Sequence, residues 1–387
     1  MDTPDLTSAR FWEGDDNHIA IDPLRPGDAE GLAAFAADNL MARGWCFFQT
    51  SGSEGLPKWV GLTKDAFLIS ARSVNAFFDV TQSDRWLVAL PVHHVGGFAI
   101  YARCFTAKSS AHRMNDAWSP DAFATLCANQ SATLASLVPT QVFDLVHNRI
   151  PSPPELRAVI VGGGALSPAL HERAKALGWR VCSSYGMTEA ASQIATQSSE
   201  DGASDDPRLM EVLPHWHVET DAKGVLTIRG PALAKGYASC DAKGIWNWQA
   251  IDPQAGLRTR DRVRLSQHGT RRQLEFMGRD SAFIKVCGEL VNRDALQRRL
   301  DEAASATGFS AGAVIVPVDD PRRGTTIVIA AEGAGSSSMS RAVLKERFNA
   351  SCLPFERASA VHEVSVIPRS SLGKVRIAEL AALLGAD

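Results

Sequence analysis

The sequence predicts an α/β protein. A large N-terminal domain of mostly parallel sheet covered by helices, with a small β-rich part, precedes a small α+β C-terminal domain. Three observations lead there. Short apolar runs closed by proline or glycine alternate with helical patterns through the first half, as expected of strands buried beneath crossover helices. After Thr196 the chain turns Ser- and Asp-rich and then breaks into shorter β-like pieces. Near Gly278 a fresh alternation of strands and helices begins. At 387 residues the chain is long enough for more than one domain.

The elements follow in order. Residues 28–43, rich in Ala and Leu, predict an amphipathic helix. Residues 45–49 read as a short buried strand entering a Gly/Ser loop. A helix starts after Thr63, its N-cap, with Asp65 in the first turn. Residues 85–90, 132–138, 156–161 and 180–184 are strands, the first two stopped by proline and the third by Gly162-Gly163-Gly164. A loop spans 197–208, and β-like pieces cover 225–229 and 262–265. The last unit carries strands at 313–318 and 325–331, helices at 295–304 and 340–349, and a connection at 332–338. Its boundary is placed at Asp280, giving domains of residues 1–279 and 280–387. No internal repeat is present.

Bulk properties exclude several classes. A formal net charge of −3 gives no electrostatic case for nucleic acid or an anionic membrane. No apolar run approaches the ~20 residues of a membrane span. The start, Met-Asp-Thr-Pro-Asp-Leu, lacks a signal-peptide profile. The 7 cysteines form no Cys-x-x-Cys pair, which argues against a disulfide framework or zinc site and indicates a cytoplasmic protein.

Several segments carry chemistry. Thr50-Ser51-Gly52-Ser53-Glu54-Gly55-Leu56-Pro57-Lys58 gathers backbone N–H groups, hydroxyls and one cation, which is what a triphosphate tail requires. Its spacing is not that of a Walker loop, and an ordinary surface turn is the alternative. Glu54 is expected to face away from phosphates, since a carboxylate against them is repulsive. Tyr185-Gly186-Met187-Thr188-Glu189 follows a buried strand, where ligand crevices form; a turn serving the next helix is the plainer reading. Gly162-Gly163-Gly164 allows close backbone approach to a planar ligand. His94, in Pro91-Val92-His93-His94-Val95-Gly96-Gly97-Phe98, is either a site residue or a packed histidine. Arg103, further along, faces the same pocket or lies on a helix surface. Lys374 tips a basic C-terminal turn, Pro368-Arg369-Ser370-Ser371-Leu372-Gly373-Lys374.

Taken in this order, these segments resemble the acyl-adenylate-forming (AMP-binding) superfamily of acyl-CoA synthetase type. The resemblance runs from about Trp45 to the C-terminus. It implies an acid–thiol ligase that uses ATP, Mg²⁺ and coenzyme A on a small carboxylic acid. Thr50, Ser51, Gly52, Ser53, Gly55 and Lys58 would hold phosphates. Gly163, Gly164, Tyr185 and Gly186 would line the adenine site, with Tyr185 stacked on the base. Thr188 would touch phosphate, Glu189 would hold the metal, and Asp261 would accept the ribose hydroxyls. Arg279 would reach the nucleotide, Asp280 would be the hinge of a mobile small domain, and Gly288 would line the pantetheine tunnel. Lys374 would bridge the reacting oxygens in the first step. His94 would gate the carboxylate channel.

The stretches Ser136–Gln141, Gly162–Pro168 and above all Ser184–Gln193 resemble the o-succinylbenzoate–CoA ligase branch. An aromatic acid with a second carboxylate is therefore expected, with His94, Arg103, Gly162, Ser192 and Gln193 about it. Thr50 comes early for this superfamily, so a shortened first subdomain is expected. Three alternatives stand: a ligase of another aryl or medium-chain acid, an enzyme loading a carrier protein, and a nucleotide-binding pseudoenzyme. Oligomeric state is left open.

Overall fold

The structure, a computed structural model, describes residues 5–23, 27–50, 58–198, 206–241, 243–279, 283–286, 289–320, 324–333, 336–370 and 373–384. The N-terminal region supplies α1 (Ala9–Glu13), β1 (His18–Ala20) and α2 (Ala29–Asp38). Ser8 and Asp28 cap the two helices through side-chain oxygens. Helix α2 is shorter than its pattern suggests. Met41 turns left-handed at φ 47°, and the Ala42 N–H closes back on the Ala36 carbonyl at 3.0 Å.

Strands β2 (Trp45–Thr50) and β3 (Lys58–Thr63) then pair antiparallel, with Thr50 opposite Lys58. Thr63 caps α3 (Lys64–Phe77) as expected, accepting from the Ala66 N–H at 3.1 Å. There follow β4 (Arg85–Val88), α4 (Val95–Ala107), β5 (Ser110–Arg113), α5 (Pro120–Asn129), β6 (Leu134–Leu137), α6 (Pro139–His147), β7 (Ala158–Val161), α7 (Pro168–Ala176) and β8 (Val181–Met187). Five of these strands run parallel in the order β5-β4-β6-β7-β8. Both faces are buried. On β4, Trp86 and Val88 enter one core with Phe48, Phe67 and Phe98, while Leu87 enters a second with Phe123, Leu145 and Trp179.

Next come β9 (Ser192–Thr196), β10 (Leu209–Val212), β11 (His217–Thr220), β12 (Val225–Arg229), β13 (Gly236–Cys240), β14 (Trp246–Ala250), β15 (Leu257–His268) and β16 (Arg271–Arg279). The sheet continues past β8 through antiparallel β9, giving an 11-stranded order β11-β12-β15-β16-β10-β9-β8-β7-β6-β4-β5. The expected β-rich part is thus an edge-on extension of the parallel sheet. β13 and β14 instead join β1, β2 and β3 in a 5-stranded sheet.

The C-terminal region holds β17 (Phe283–Val286), β18 (Glu289–Asn292), α8 (Arg293–Thr307), β19 (Ala313–Asp320), β20 (Gly324–Glu332), α9 (Ser338–Ala350), β21 (Ala358–Val364) and α10 (Ile377–Leu384). Its cores are its own: Leu296, Leu300, Ile315, Ile327, Leu344 and Phe348 in one, Val316, Ile367 and Leu380 in another.

The N-terminal segment is wedged into the main core. Trp12 is 2% exposed, packs on Phe67, Phe98 and Phe105, and donates its indole N–H to the Leu6 carbonyl at 2.8 Å. Lys64 Nζ ties the same segment down through the Gly14 carbonyl at 2.9 Å, above the Phe11 ring. Trp12→Ala should therefore cost about 3–5 kcal/mol, as for other buried aromatics. Denaturant unfolding reads this; a loss below about 1 kcal/mol would mean the segment is not part of the core.

Candidate active site

The loops after β4, β6, β7 and β8 all emerge at the carboxyl edge of the parallel strands, where crevices form. They carry His93–His94, Val138–Thr140, Gly162–Gly164 and Thr188–Glu189 in turn. Gly163 takes φ +76°, and a Cβ there would lie 3.4 Å from Val138 Cγ1. One at Gly164 would lie 3.4 Å from Pro139, and one at Gly162 3.8 Å from the Ser184 carbonyl. The glycine turn is thus a thin wall between the β6 and β8 loops. The β6 loop is held in shape by Gln141, whose Oε1 accepts the Val138 N–H at 3.0 Å.

The Tyr185–Glu189 segment begins inside a strand, since β8 runs on to Met187 and pairs with β9. Gly186 permits this pairing: a Cβ there would lie 1.7 Å from the Ser192 carbonyl. The turn between β8 and β9 is tight, with Ala191 at φ 47° and Ser192 at φ 104°. Such backbone costs about 1–3 kcal/mol per residue. It delivers Ser192 to Arg103.

Tyr185 lies against Phe276, ring centroids 5.7 Å apart, and donates its hydroxyl to Asp261 Oδ2 at 2.7 Å. Asp261 lies within β15 rather than in a turn, and it is 5% exposed. Its N–H donates to Thr259 Oγ1 at 3.0 Å. Glu189 accepts the Tyr237 hydroxyl at 3.1 Å from β13. Burial, with Glu189 alongside, holds the Tyr237 phenol protonated far above its ordinary range. β13 also pairs with β3, setting Ser239 opposite Lys58. Glu189, Tyr237 and Lys58 thus belong to one corner of the molecule. Thr50 donates its hydroxyl to the Lys58 carbonyl at 3.3 Å. Among the described residues no cluster of three or more His, Cys, Asp or Glu side chains could hold a metal. One carboxylate such as Glu189 still fits Mg²⁺, which binds through one or two carboxylates together with phosphates.

Arg103 is the most unusual side chain here. It sits on α4, 2% exposed, so the surface-helix reading is corrected. Its Nη2 reaches Ser192 Oγ at 3.5 Å and its plane lies over Trp86, 5.2 Å from the ring centroid. Nη1 has no hydrogen-bond partner, and among the described residues no carboxylate pairs with it. Burial pushes the guanidinium down to about 10, so it remains a cation at neutral pH. Gln193, 2% exposed, has neither side-chain N nor O partnered. Each unsatisfied group costs about 1–3 kcal/mol, and the cation more.

His94 occupies the N-cap of α4 with its ring 4.4 Å from His93. Burial, with His93 and Lys374 nearby, pushes His94 down to about 4, so it is a neutral imidazole. Its Nε2 has no partner. The Lys374 charge thus acts on His94 across the site. The turn carrying it is closed by Ser370 N–H to the Lys374 carbonyl at 2.7 Å and by Gly373 N–H to the Ser370 carbonyl at 2.8 Å. A Cβ on Gly373, at φ +72°, would lie 2.4 Å from Thr140 Oγ1. The C-terminal turn is thus docked on the carboxyl edge of the sheet.

Ser51, Gly52, Ser53, Glu54, Gly55, Asp280 and Gly288 lie outside the described residues, as does the side chain of Arg279. Sequence reasoning missed Thr140, Tyr237 and His93 as neighbours of the site. Tyr237 was the hardest to find, since it comes from a distant strand that crosses to the other sheet.

Comparison with known proteins bears on the family and the fold. The AMP-binding enzyme family matches residues 45–238, half of the chain, and the chain belongs to that family. It is similar to the 2-succinylbenzoate–CoA ligase of Salmonella typhimurium, 31% identical over 288 residues, covering 74% of this chain and 58% of that protein. The Bacillus velezensis protein of the same name is 27% identical over 363 residues, covering 90% and 70%. A solved variant of E. coli MenE with bound OSB-AMS superposes with a TM-score of 0.70 at 25% identity, covering 88% of this chain and 69% of that one. The chain spans less than two thirds of the first curated relatives it matches. Among the described residues no helix is long and apolar enough to cross a membrane.

A buried cation retained without a counter-ion costs stability. Arg103→Met, which keeps the stem's length over Trp86, should leave the thermal midpoint of the ligand-free protein unchanged or higher. A fall equivalent to about 3 kcal/mol would show that Arg103 is a structural cation.

Proposed function

We propose that this chain is an ATP-dependent acid–coenzyme A ligase that adenylates an aromatic dicarboxylate, 2-succinylbenzoate, and transfers the acyl group to coenzyme A. The observation that carries this reading is Arg103, a buried guanidinium with no carboxylate of its own, beside the adenylation motifs. A second ligand carboxylate supplies the missing anion. Ser192 and Gln193 add hydrogen bonds from β9. The relatives' names and the OSB-AMS in the MenE structure support the same acid.

The domains are proposed as residues 1–279 and 280–387, with the hinge at Asp280. ATP lies over the glycine turn, its adenine at Gly162–Gly164 and Tyr185 and its ribose at Asp261. Its phosphates lie toward Thr50–Lys58 and Thr188, and Arg279 reaches the nucleotide. Glu189 would hold Mg²⁺, which would supply neutralising charge to the phosphates. Tyr237 fixes the Glu189 carboxylate by its hydrogen bond. In the first step a carboxylate oxygen of the acid forms a bond to the α-phosphorus as the bond to pyrophosphate breaks. Negative charge gathers on the entering and phosphoryl oxygens, and Lys374 bridges them as a fixed cation. The neutral His94 beside it leaves that charge on Lys374 and borders the path of the carboxylate. In the second step the small domain turns, Gly288 lines the thiol tunnel, and sulfur attacks the acyl carbon as AMP leaves.

The test is pyrophosphate release across an acid panel, with and without coenzyme A. 2-Succinylbenzoate should exceed benzoate and octanoate in kcat/KM by at least tenfold, about 1.4 kcal/mol of transition-state preference. A tenfold advantage for either simple acid would overturn the dicarboxylate assignment. No pyrophosphate from any acid would leave a nucleotide-binding protein without the chemistry.

Lys374→Ala should slow acyl-AMP formation by about 100-fold or more, the scale of losing one transition-state donor. Thioester formation from pre-made acyl-AMP should be largely kept. Equal loss in both half-reactions would remove Lys374 from its assigned step.

A further inference from the structure

The N-terminal segment touches the site as well as the core. β1 pairs parallel with β2, and two residues past its end Asp22 reaches the β4 loop. Asp22 Oδ1 lies 3.7 Å from His93 Nε2, with both side chains largely buried at 15% and 17% exposed. The His93 ring in turn lies 4.4 Å from that of His94, tilted by 53°. Contacts thus run from Asp22 through His93 to His94, and the Lys374 charge, next to Gly373 on the Thr140 loop, acts on His94 electrostatically. This order of residues joins the first 23 positions of the chain to the last 14.

We propose that Asp22 is a positioning residue of the adenylation site, its carboxylate lying against His93 at 3.7 Å, beyond hydrogen-bond distance, and, through the two adjacent tilted imidazoles, placing His94 where the C-terminal turn docks. The inference rests on the adenylation reading above. Among the described residues, the charged groups acting on the pair come from three elements. Asp22 comes from beyond β1, Arg113 from the end of β5, and Lys374 from the C-terminal turn. Burial draws His93 down, Asp22 acts upward on it and Arg113 downward. On His94, burial, His93 and Lys374 act downward and Asp22 upward. Asp22 is therefore the one named group that raises proton affinity at both rings. The carboxylate also sets a negative charge close to where Lys374 brings a positive one, which favours docking of the C-terminal turn.

The sign of the consequence follows. If the imidazoles must be neutral for the first step, acyl-AMP formation falls on the acid side as they take up protons. Removing the Asp22 charge lowers their proton affinity and moves this acid limb to lower pH. A purely structural loss would scale the rate and leave the limb in place.

The experiment is single-turnover acyl-AMP formation by the full chain from about pH 3 to pH 9, a range that brackets the His94 value of about 4. It compares the wild type with Asp22→Asn, Asp22→Glu, His93→Gln and the Asp22→Asn/His93→Gln double variant. Asp22→Asn should lower the adenylation rate at pH 7.5 about tenfold and move the acid limb to lower pH, with ATP KM changed less than about threefold. Asp22→Glu should recover most of the rate. In the double variant the Asn substitution should add less than about twofold, because its path runs through His93. Thioester formation from pre-made acyl-AMP should be unchanged. The proposal is overturned if Asp22→Asn is silent, if its effect multiplies with that of His93→Gln, or if both half-reactions fall together with an unmoved limb. A wild type that releases no pyrophosphate would sink the adenylation reading and this inference with it. An active wild type with an indifferent Asp22→Asn would sink this inference alone.

Discussion

A guanidinium buried without a carboxylate is the constraint around which this site is arranged. Arg103 is carried on the buried face of α4, over Trp86, and it retains its charge despite being drawn down to about 10. A folded protein gains nothing from such a group by itself. Its desolvation is offset only in part by the Trp86 face and by one long bond to Ser192 at 3.5 Å. Ser192 itself stands on a strained turn, with φ at 104°. The unpartnered amide of Gln193 follows directly. Three costs thus fall on residues joined by sequence or by contact: the Arg103 cation, the Ser192 backbone and the Gln193 amide.

The sheet explains how the candidate site residues come to share one edge. Parallel β4, β6, β7 and β8 send their connections to one edge, so loops distant in sequence become neighbours. β8 then turns back into antiparallel β9, which returns the chain beneath α4 and brings Ser192 to Arg103. The two ends of the chain meet the same edge. The C-terminal turn seats Gly373 on Thr140 and brings Lys374 near His94, while Asp22 reaches His93. The second sheet contributes through β13, whose Tyr237 hydroxyl holds Glu189.

Much of this was legible in the sequence because it is written in local pattern. The strand at 225–229 coincides with β12, and the buried runs before Pro91, Pro139 and Gly162 each contain a parallel strand. Thr63 caps α3 as its chemistry suggests. The position of the site was legible too, because strand-to-turn junctions rich in Gly, Thr and Glu mark a carboxyl edge. What could not be read was long-range. Strand β8 runs through Tyr185 to Met187 because β9 offers it a partner, and Asp261 lies inside β15 because β16 pairs with it. The burial of Arg103 depends on Trp86 beneath it and β9 beside it, neither adjacent in sequence. The Asp22–His93 contact spans 71 positions and has no local signature.

The measurement that bears most directly on this account is a selectivity switch at Arg103. The acids compared are 2-succinylbenzoate and 4-oxo-4-phenylbutanoate, which keeps the ring and side-chain carboxylate but lacks the ring carboxylate. In the wild type kcat/KM should favour the diacid by about 100-fold, the scale expected when a buried charge is left without its partner. In Arg103→Met the ratio should collapse to within about tenfold, through loss of the diacid and gain or retention of the monoacid. A ratio unchanged by the substitution would contradict the account, because the buried guanidinium would then have no part in choosing the acid.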